Sequence, residues 1–319
     1  MKHYRKSIAV LLGVLLLVGW HHSTGHTRSG SDLGPATSRP LLPPNILSGA
    51  GPVGGRTFSP TTSFRLVTSE SYGRLASLDS AQLLTLLKLN RVDLSHVRRG
   101  SLIVPDSIGE ELSYAPFPGR LSSLDSVPKF ILVSRSVQAF GAYEHGRLVR
   151  WGPTSTGKQE TPTDSGLFFT NWKSRQAIST EDSTWVLKWY FNIVSATGIA
   201  FHEYDLPGRP ASHGCVRLLE DDARWLFGWA DQWELSPRTG ARRPVTYGTP
   251  VVVMGEYAYG HPVPWFSLAE DAGAARVSAT DVDRVLAGYL PTILERTAPP
   301  LAPVAPDWYL TTGSFAFDR

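Results

Sequence analysis

The sequence predicts a mainly β domain over residues 128–255, with one helix behind a Gly- and Pro-rich loop. A small α/β segment precedes it and a helical extension follows. Three observations carry that expectation. Short apolar or alternating runs bounded by turn residues recur through 128–255, the signature of strands. One run in that region, Glu220 to Trp233, reads as a helix instead. Outside it, Leu83, Leu84, Leu86, Leu87 and Leu89 on one side, and Val282, Val285, Leu286, Tyr289, Ile293 and Leu294 on the other, are spaced for helices.

At the N-terminus Lys2, Arg5 and Lys6 precede the apolar run Ile8 to Trp20. Residues 1–22 therefore read as a secretory signal peptide, and the run is short for a membrane-spanning helix. His21 and His22 stand where a small-residue cleavage site is expected, so an uncleaved signal anchor is the alternative reading. It would be the chain's one membrane contact. Residues 23–63, rich in Gly, Ser, Thr and Pro, read as a disordered linker. Export to the periplasm or cell envelope follows as the expected location. The single cysteine excludes an intramolecular disulfide. The net charge is +3 overall and +5 within residues 1–60, which leaves −2 for the remainder, so nothing argues for a nucleic-acid partner.

The segment 64–112 begins its regular structure with a helix opening at Ser80 and ending at Asn90. Leu102, Ile103 and Val104 then form a strand before Pro105. Glu110 to Val127, with Pro116, Pro118 and Gly119, is a connector. Ile131–Ser134 and Val137–Tyr143 are strands, and His145-Gly146 is a tight turn before Leu148. Gly166–Thr170, the aromatic run Trp185–Ile193, and Gly198–His202 continue the sheet. Trp185, Trp189, Tyr190 and Phe191 either wall a groove or fill the core, and the core is the expectation. Within the extension 256–319, Ser278–Thr297 reads as one helix with Thr280 and Asp283 as a capping box. Pro291 kinks it or splits it in two. A Pro/Ala tail, Pro299 to Pro306, follows.

The chemistry concentrates in Phe201 to Leu218, FHEYDLPGRPASHGCVRL. Cys215, the lone cysteine, follows His213 by two residues, and His202 lies upstream. A thiol needs to lose its proton to attack, and an imidazole is the usual acceptor. Gly214 leaves the approach to the sulfur unobstructed. The helix after the loop would place Cys215 near a helix N-terminus, which favours thiolate. A metal site built from His202, His213 and Cys215 would offer three ligands without CxxC spacing. A papain-like protease would place its cysteine before its histidine, the reverse of the order here. A binding protein with a retired site is the remaining class.

The string SHGCVRL, with a histidine on an apolar strand upstream, resembles the active-site motif of the L,D-transpeptidases, the YkuD-type catalytic domain. Phe130 to Arg150 resembles that family's opening hairpin, Thr154 to Phe169 its next segment, and Gly248 to Met254 its closing strand. The resemblance implies a β-sandwich over 128–255 and an enzyme without cofactor or metal that acts on peptidoglycan stem peptides. It implies Cys215 as nucleophile, His202 as general base, and His213 as shaping the oxyanion and nucleophile surroundings. It assigns Ser212 to orienting the loop, the Gly214 and Cys215 N–H groups to an oxyanion hole, and Arg217 to a stem carboxylate. A carboxypeptidase differs only in that water takes the acyl group. Three features depart from the family pattern: a short His202-to-Ser212 spacing, Glu203 directly after the histidine, and an expanded TPTDSG turn. Glu203 is expected to raise the pKa of His202. Asn-Arg-Val-Asp with Arg-Gly-Ser-Leu-Ile-Val-Pro, in 64–112, resembles the second half of a LysM module, which implies contact with glycan.

Overall fold

The computed structural model describes residues 62–68, 75–98, 100–235 and 244–298. The signal segment, the linker up to residue 61 and the Pro/Ala tail lie outside the described residues. The described residues all belong to one compact unit.

The N-terminal part is a strand, a helix and a strand: β1 (Phe64–Thr68), α1 (Ser80–Asn90) and β2 (Ser101–Pro105). β1 was not legible in the sequence; it pairs antiparallel with β2, Phe64 opposite Pro105. Asp79 caps α1, accepting from Gln82 N while the Gln82 side chain accepts from the Asp79 N–H. The helix ends where Arg91 turns left-handed at φ 55°. Asn90 ties helix to strand: its Nδ2 donates to Ile103 O and its Oδ1 accepts from Ile103 N. Leu86, Leu87, Val92, Val97, Leu102 and Val104 make a small core between them.

The rest is organised by a nine-stranded sheet. Its strands are β3 (Lys129–Ser134), β4 (Ala139–Glu144), β5 (Arg147–Ser155), β6 (Gly166–Phe169), β7 (Lys173–Ile178), β8 (Val186–Val194), β9 (Ile199–Glu203), β10 (Val216–Leu218) and a late strand introduced below. A short ribbon, β11 (Glu234–Leu235) and β12 (Pro244–Thr246), precedes that last strand, β13 (Pro250–Met254). The order across the sheet is 6-13-3-4-5-10-9-8-7. Pairing is antiparallel except at β13/β3 and β9/β10. The turn between β4 and β5 has φ 45° at His145 and 71° at Gly146, the left-handed pair that a two-residue hairpin of this twist requires. β7 and β10 were not anticipated, being polar and very short respectively.

The sheet curls so that its two halves face each other. Ile131, Val133, Phe140, Val251 and Val253 from one half share a core with Phe191, Phe201, Val216 and Leu218 from the other, and with Leu226 of α2 (Glu220–Trp229). The sandwich is thus one continuous sheet. α2 is shorter than its expected span, because Asp231 turns away to bond Thr170 and Thr249.

The opposite face of β3, β4 and β13 carries Phe130, Leu132, Tyr143 and Val252. It is covered by Phe64, Leu89 and Ile103 from the N-terminal segment and by Trp265, Val282, Leu286 and Ile293 from the C-terminal extension. The extension forms two helices, α3 (Ala279–Leu286) and α4 (Leu290–Thr297), with Pro291 in the first turn of α4. The cap is Ser278, which accepts from Asp281 N, rather than the Thr280–Asp283 pair. A buried polar knot adds to the apolar seal: Lys88 Nζ donates to Asp222 Oδ1 (2.9 Å), Glu111 Oε1 (2.6 Å) and Trp151 O (3.1 Å). Arg150 Nε also donates to Asp222 Oδ1 (2.7 Å), so α1, β5 and α2 meet at one carboxylate.

Candidate active site

Strand alternation builds the site. In the parallel pair β9/β10, Phe201 is opposite Val216 and His202 opposite Arg217. Side chains alternate across a sheet, so Phe201, Val216 and Leu218 enter the core while Ala200, His202, Cys215 and Arg217 share the other face. There His202, Cys215 and Arg217 line one pocket with Ser212, His213, Trp185 and Tyr190. Every proposed site residue except Gly214 lines it; Gly214 stands between His213 and Cys215 in the chain.

His202 is buried, and its Nδ1 lies 2.9 Å from the Glu203 carbonyl oxygen. A carbonyl only accepts, so Nδ1 carries the proton and Nε2 is left with a lone pair. Burial is the largest influence on this imidazole and lowers its pKa to about 4; the Glu203 carbonyl opposes the shift and Arg217 adds to it. The expectation that Glu203 would raise it is therefore corrected. The Glu203 side chain reaches Lys188 on β8 (3.7 Å), and only its carbonyl addresses the ring.

Cys215 is half-buried. Burial pushes its thiol up, opposed by the Ala200 N–H and by Arg217, and reinforced by Glu181. The sulfur lies 3.7 Å from the Gly198 carbonyl oxygen, as donor. No helix terminus stands at Cys215, contrary to expectation, because β10 intervenes before α2 starts at Glu220. A neutral imidazole and a thiol biased toward its protonated form thus line one pocket, an arrangement that can pass a proton from sulfur to Nε2.

The loop carrying the cysteine is pinned from the inside. Ser212 is buried; its Oγ donates to Cys215 O (2.6 Å) and accepts from Gly214 N (3.1 Å). The Gly214 N–H is thereby engaged within the loop. Gly214 has φ 111°, a conformation that a side chain would strain. Thr163, from the expanded TPTDSG turn, donates from Oγ1 to Gly214 O (2.7 Å) and accepts from Gly157 N (2.9 Å). His213 is exposed, with Nε2 3.3 Å from Lys158 Nζ and its ring against Trp185. Among the described residues no three His, Cys, Asp or Glu side chains are grouped to hold a metal.

Arg217 stacks over Tyr204 and donates to Asp205 Oδ1 at 3.1 Å. Sequence reasoning missed this pair, and also Tyr190, whose hydroxyl donates to Gly198 O (2.8 Å). The aromatic run divides: Trp185 and Tyr190 wall the pocket, while Phe191 enters the core. A bulge in β8, with Trp189 at φ 53°, breaks the alternation that would have predicted the split.

Residues 128–253 match the model of the YkuD family, the L,D-transpeptidase catalytic domain. No curated protein matches the chain. Similar solved structures include an L,D-transpeptidase (Yku) from Stackebrandtia nassauensis, 22% identical over 41% of this chain and 57% of that one, with a TM-score of 0.33. An L,D-transpeptidase from Mycobacterium smegmatis is 19% identical over 40% and 59%, at 0.32. L,D-transpeptidase 1 from Mycobacterium tuberculosis is 23% identical over 40% and 62%, at 0.31. Each alignment spans less than two thirds of the other chain's length.

Proposed function

We propose that this chain, whose residues 128–253 carry an L,D-transpeptidase-type catalytic domain, cross-links peptidoglycan stem peptides through a cysteine acyl-enzyme. The observation that carries the reading is the placement of His202 and Cys215 on one pocket face, with the imidazole neutral and Nδ1 held by Glu203 O. Cys215 Sγ attacks the amide carbonyl of the third residue of a tetrapeptide stem as its proton passes to His202 Nε2. The C–N bond breaks, the proton goes to the departing D-alanine amine, and a thioester remains. An amine of a second stem then attacks the thioester, loses its proton to His202, and releases the thiolate, which recovers the proton. The Cys215 N–H stabilises the oxyanion in both steps. Ser212 and Gly214 hold the loop, His213 shapes the surroundings of the sulfur, and Arg217 faces a substrate carboxylate. Export to the cell envelope follows from that substrate, and glycan contact through 64–112 is a separate proposal, tested by binding to sacculi.

The test uses the chain without residues 1–61, mixed with tetrapeptide muropeptides and followed by mass spectrometry, with Cys215→Ala as control. Dimers with loss of D-alanine, absent in the control, establish the activity. Tripeptide without dimers makes it a carboxypeptidase. No turnover of any stem sinks the enzymatic reading.

A further inference from the structure

The loop between His202 and Ser212 is held by the N-terminal segment. Val92, just after α1, forms an antiparallel bridge with Pro207. Asp93 N donates to Leu206 O (3.1 Å), Leu206 N donates to Asp93 Oδ2 (2.7 Å), and Gly208 N donates to Arg91 O (3.1 Å). Three consecutive residues of the α1 exit thus engage three consecutive residues of the loop. The fit is close, since a Cβ on Gly208 would lie 3.2 Å from Val92 Cγ1.

Asp93 is built for this. Its Oδ1 accepts from Ser95 N and Oγ (both 2.7 Å) and lies 3.0 Å from His96 Nδ1, which orients the carboxylate and leaves Oδ2 for Leu206. Burial works against its charged form, yet the hydrogen bonds from Ser95, Leu206 and His96 outweigh burial and hold the carboxyl below its ordinary value. Leu206 itself is fully buried. Its neighbour Asp205 supplies the carboxylate that Arg217 Nη1 reaches, and Arg217 lines the pocket opposite His202.

We propose that Asp93 is a positioning residue for the candidate active site: by clamping Leu206 it sets Asp205, and through it the Arg217 guanidinium. On this account the segment 64–105 serves the catalytic domain as a fixed brace. The clamp stands on the hydrogen bonds; its kinetic consequence rests on the function proposed above.

The test uses the full chain and three variants. Asp93→Ala removes the acceptor, Asp93→Asn keeps one, and Asp205→Asn weakens the link to Arg217 without touching the clamp. Hydrogen exchange at the Leu206 and Gly208 amides should be faster by about tenfold in Asp93→Ala and near wild type in Asp93→Asn and Asp205→Asn. The donor-stem KM should rise by about tenfold in Asp93→Ala and Asp205→Asn with kcat within about threefold, and return toward wild type in Asp93→Asn. Unchanged exchange in Asp93→Ala overturns the clamp whatever the kinetics. Faster exchange with unaltered KM overturns the link to Arg217. If the wild type turns over no stem, the exchange arm still decides the clamp, and the functional reading falls separately. Should Asp93→Ala fail to fold, Asp205→Asn still decides the link to Arg217, since an unaltered donor-stem KM in that variant overturns it.

Discussion

Cys215 and Tyr190 meet at one acceptor: the Gly198 carbonyl takes the Tyr190 hydroxyl at 2.8 Å and lies 3.7 Å from the Cys215 sulfur. The hydroxyl also accepts from Asn192 Nδ2 at 3.1 Å, so it is fixed from both sides. By occupying the carbonyl, Tyr190 weakens the hydrogen bond that would keep the proton on sulfur. Tyr190→Phe frees that carbonyl for the thiol. Alkylation of Cys215 by iodoacetamide at fixed pH should then slow by about threefold, with a stability loss of about 1 kcal/mol in urea. Faster alkylation would show that the hydroxyl does not act through Gly198.

The imidazole sets the pH behaviour. With a folded pKa of about 4, His202 stays neutral and able to accept a proton through pH 5. The rate of carbapenem addition to Cys215, read as a single mass adduct, should therefore show no acid limb with a midpoint near 6.5. A midpoint there would mean an exposed imidazole. Stability carries the same signature. Between pH 6.5 and 4 the unfolded chain binds more protons at this position than the folded one, so this contribution is complete above 6.5 and declines as pH falls toward 4. The decline amounts to about 3 kcal/mol, and His202→Gln should remove that part of the slope.

Much of the site was legible because its signals are local. The residues between His202 and Arg217 sit close in sequence, and strand alternation alone puts Cys215 and Arg217 on one face. The protonation states were not legible, since they follow from burial: the sequence argument placed a helix terminus at Cys215 where β10 stands. The bracing contacts were equally hidden. Asp93 and Leu206 are 113 positions apart, and Lys88 and Asp222 are 134, so neither pair leaves a periodic trace. β1 escaped for a similar reason, as its exposed face gives it little apolar patterning and its partner lies beyond a helix.

Two glycines near the site should respond oppositely to alanine. Gly214 has φ 111°, so Gly214→Ala imposes a strained backbone worth about 1–3 kcal/mol and displaces the Cys215 N–H. Carbapenem labelling should slow markedly. Gly228 lies inside α2, and beyond its chain neighbours and the helix's own backbone no described atom comes within 4 Å of where its methyl group would stand. Gly228→Ala should therefore stabilise by about 0.5–1 kcal/mol and leave labelling unchanged. Equal effects from the two substitutions would refute the conformational role of Gly214.

Lys88 tests whether the N-terminal segment and the sheet unfold together. Its ammonium is fully buried and shared between Asp222, which is also fully buried, and Glu111. Removing one partner of a buried pair leaves an uncompensated charge, and here Arg150 offsets only part of that loss. Lys88→Met should therefore cost about 3 kcal/mol. Because Phe64, Leu89 and Ile103 lie in the same core as Phe130 and Val252, and as Trp265 and Ile293, the loss should appear as one shifted transition. Tyrosine and tryptophan fluorescence and far-UV circular dichroism should trace that transition with the same midpoint. Two separated midpoints, with only the first moved by Lys88→Met, would mean that the segment 64–105 unfolds on its own and that the shared core contributes little to holding it.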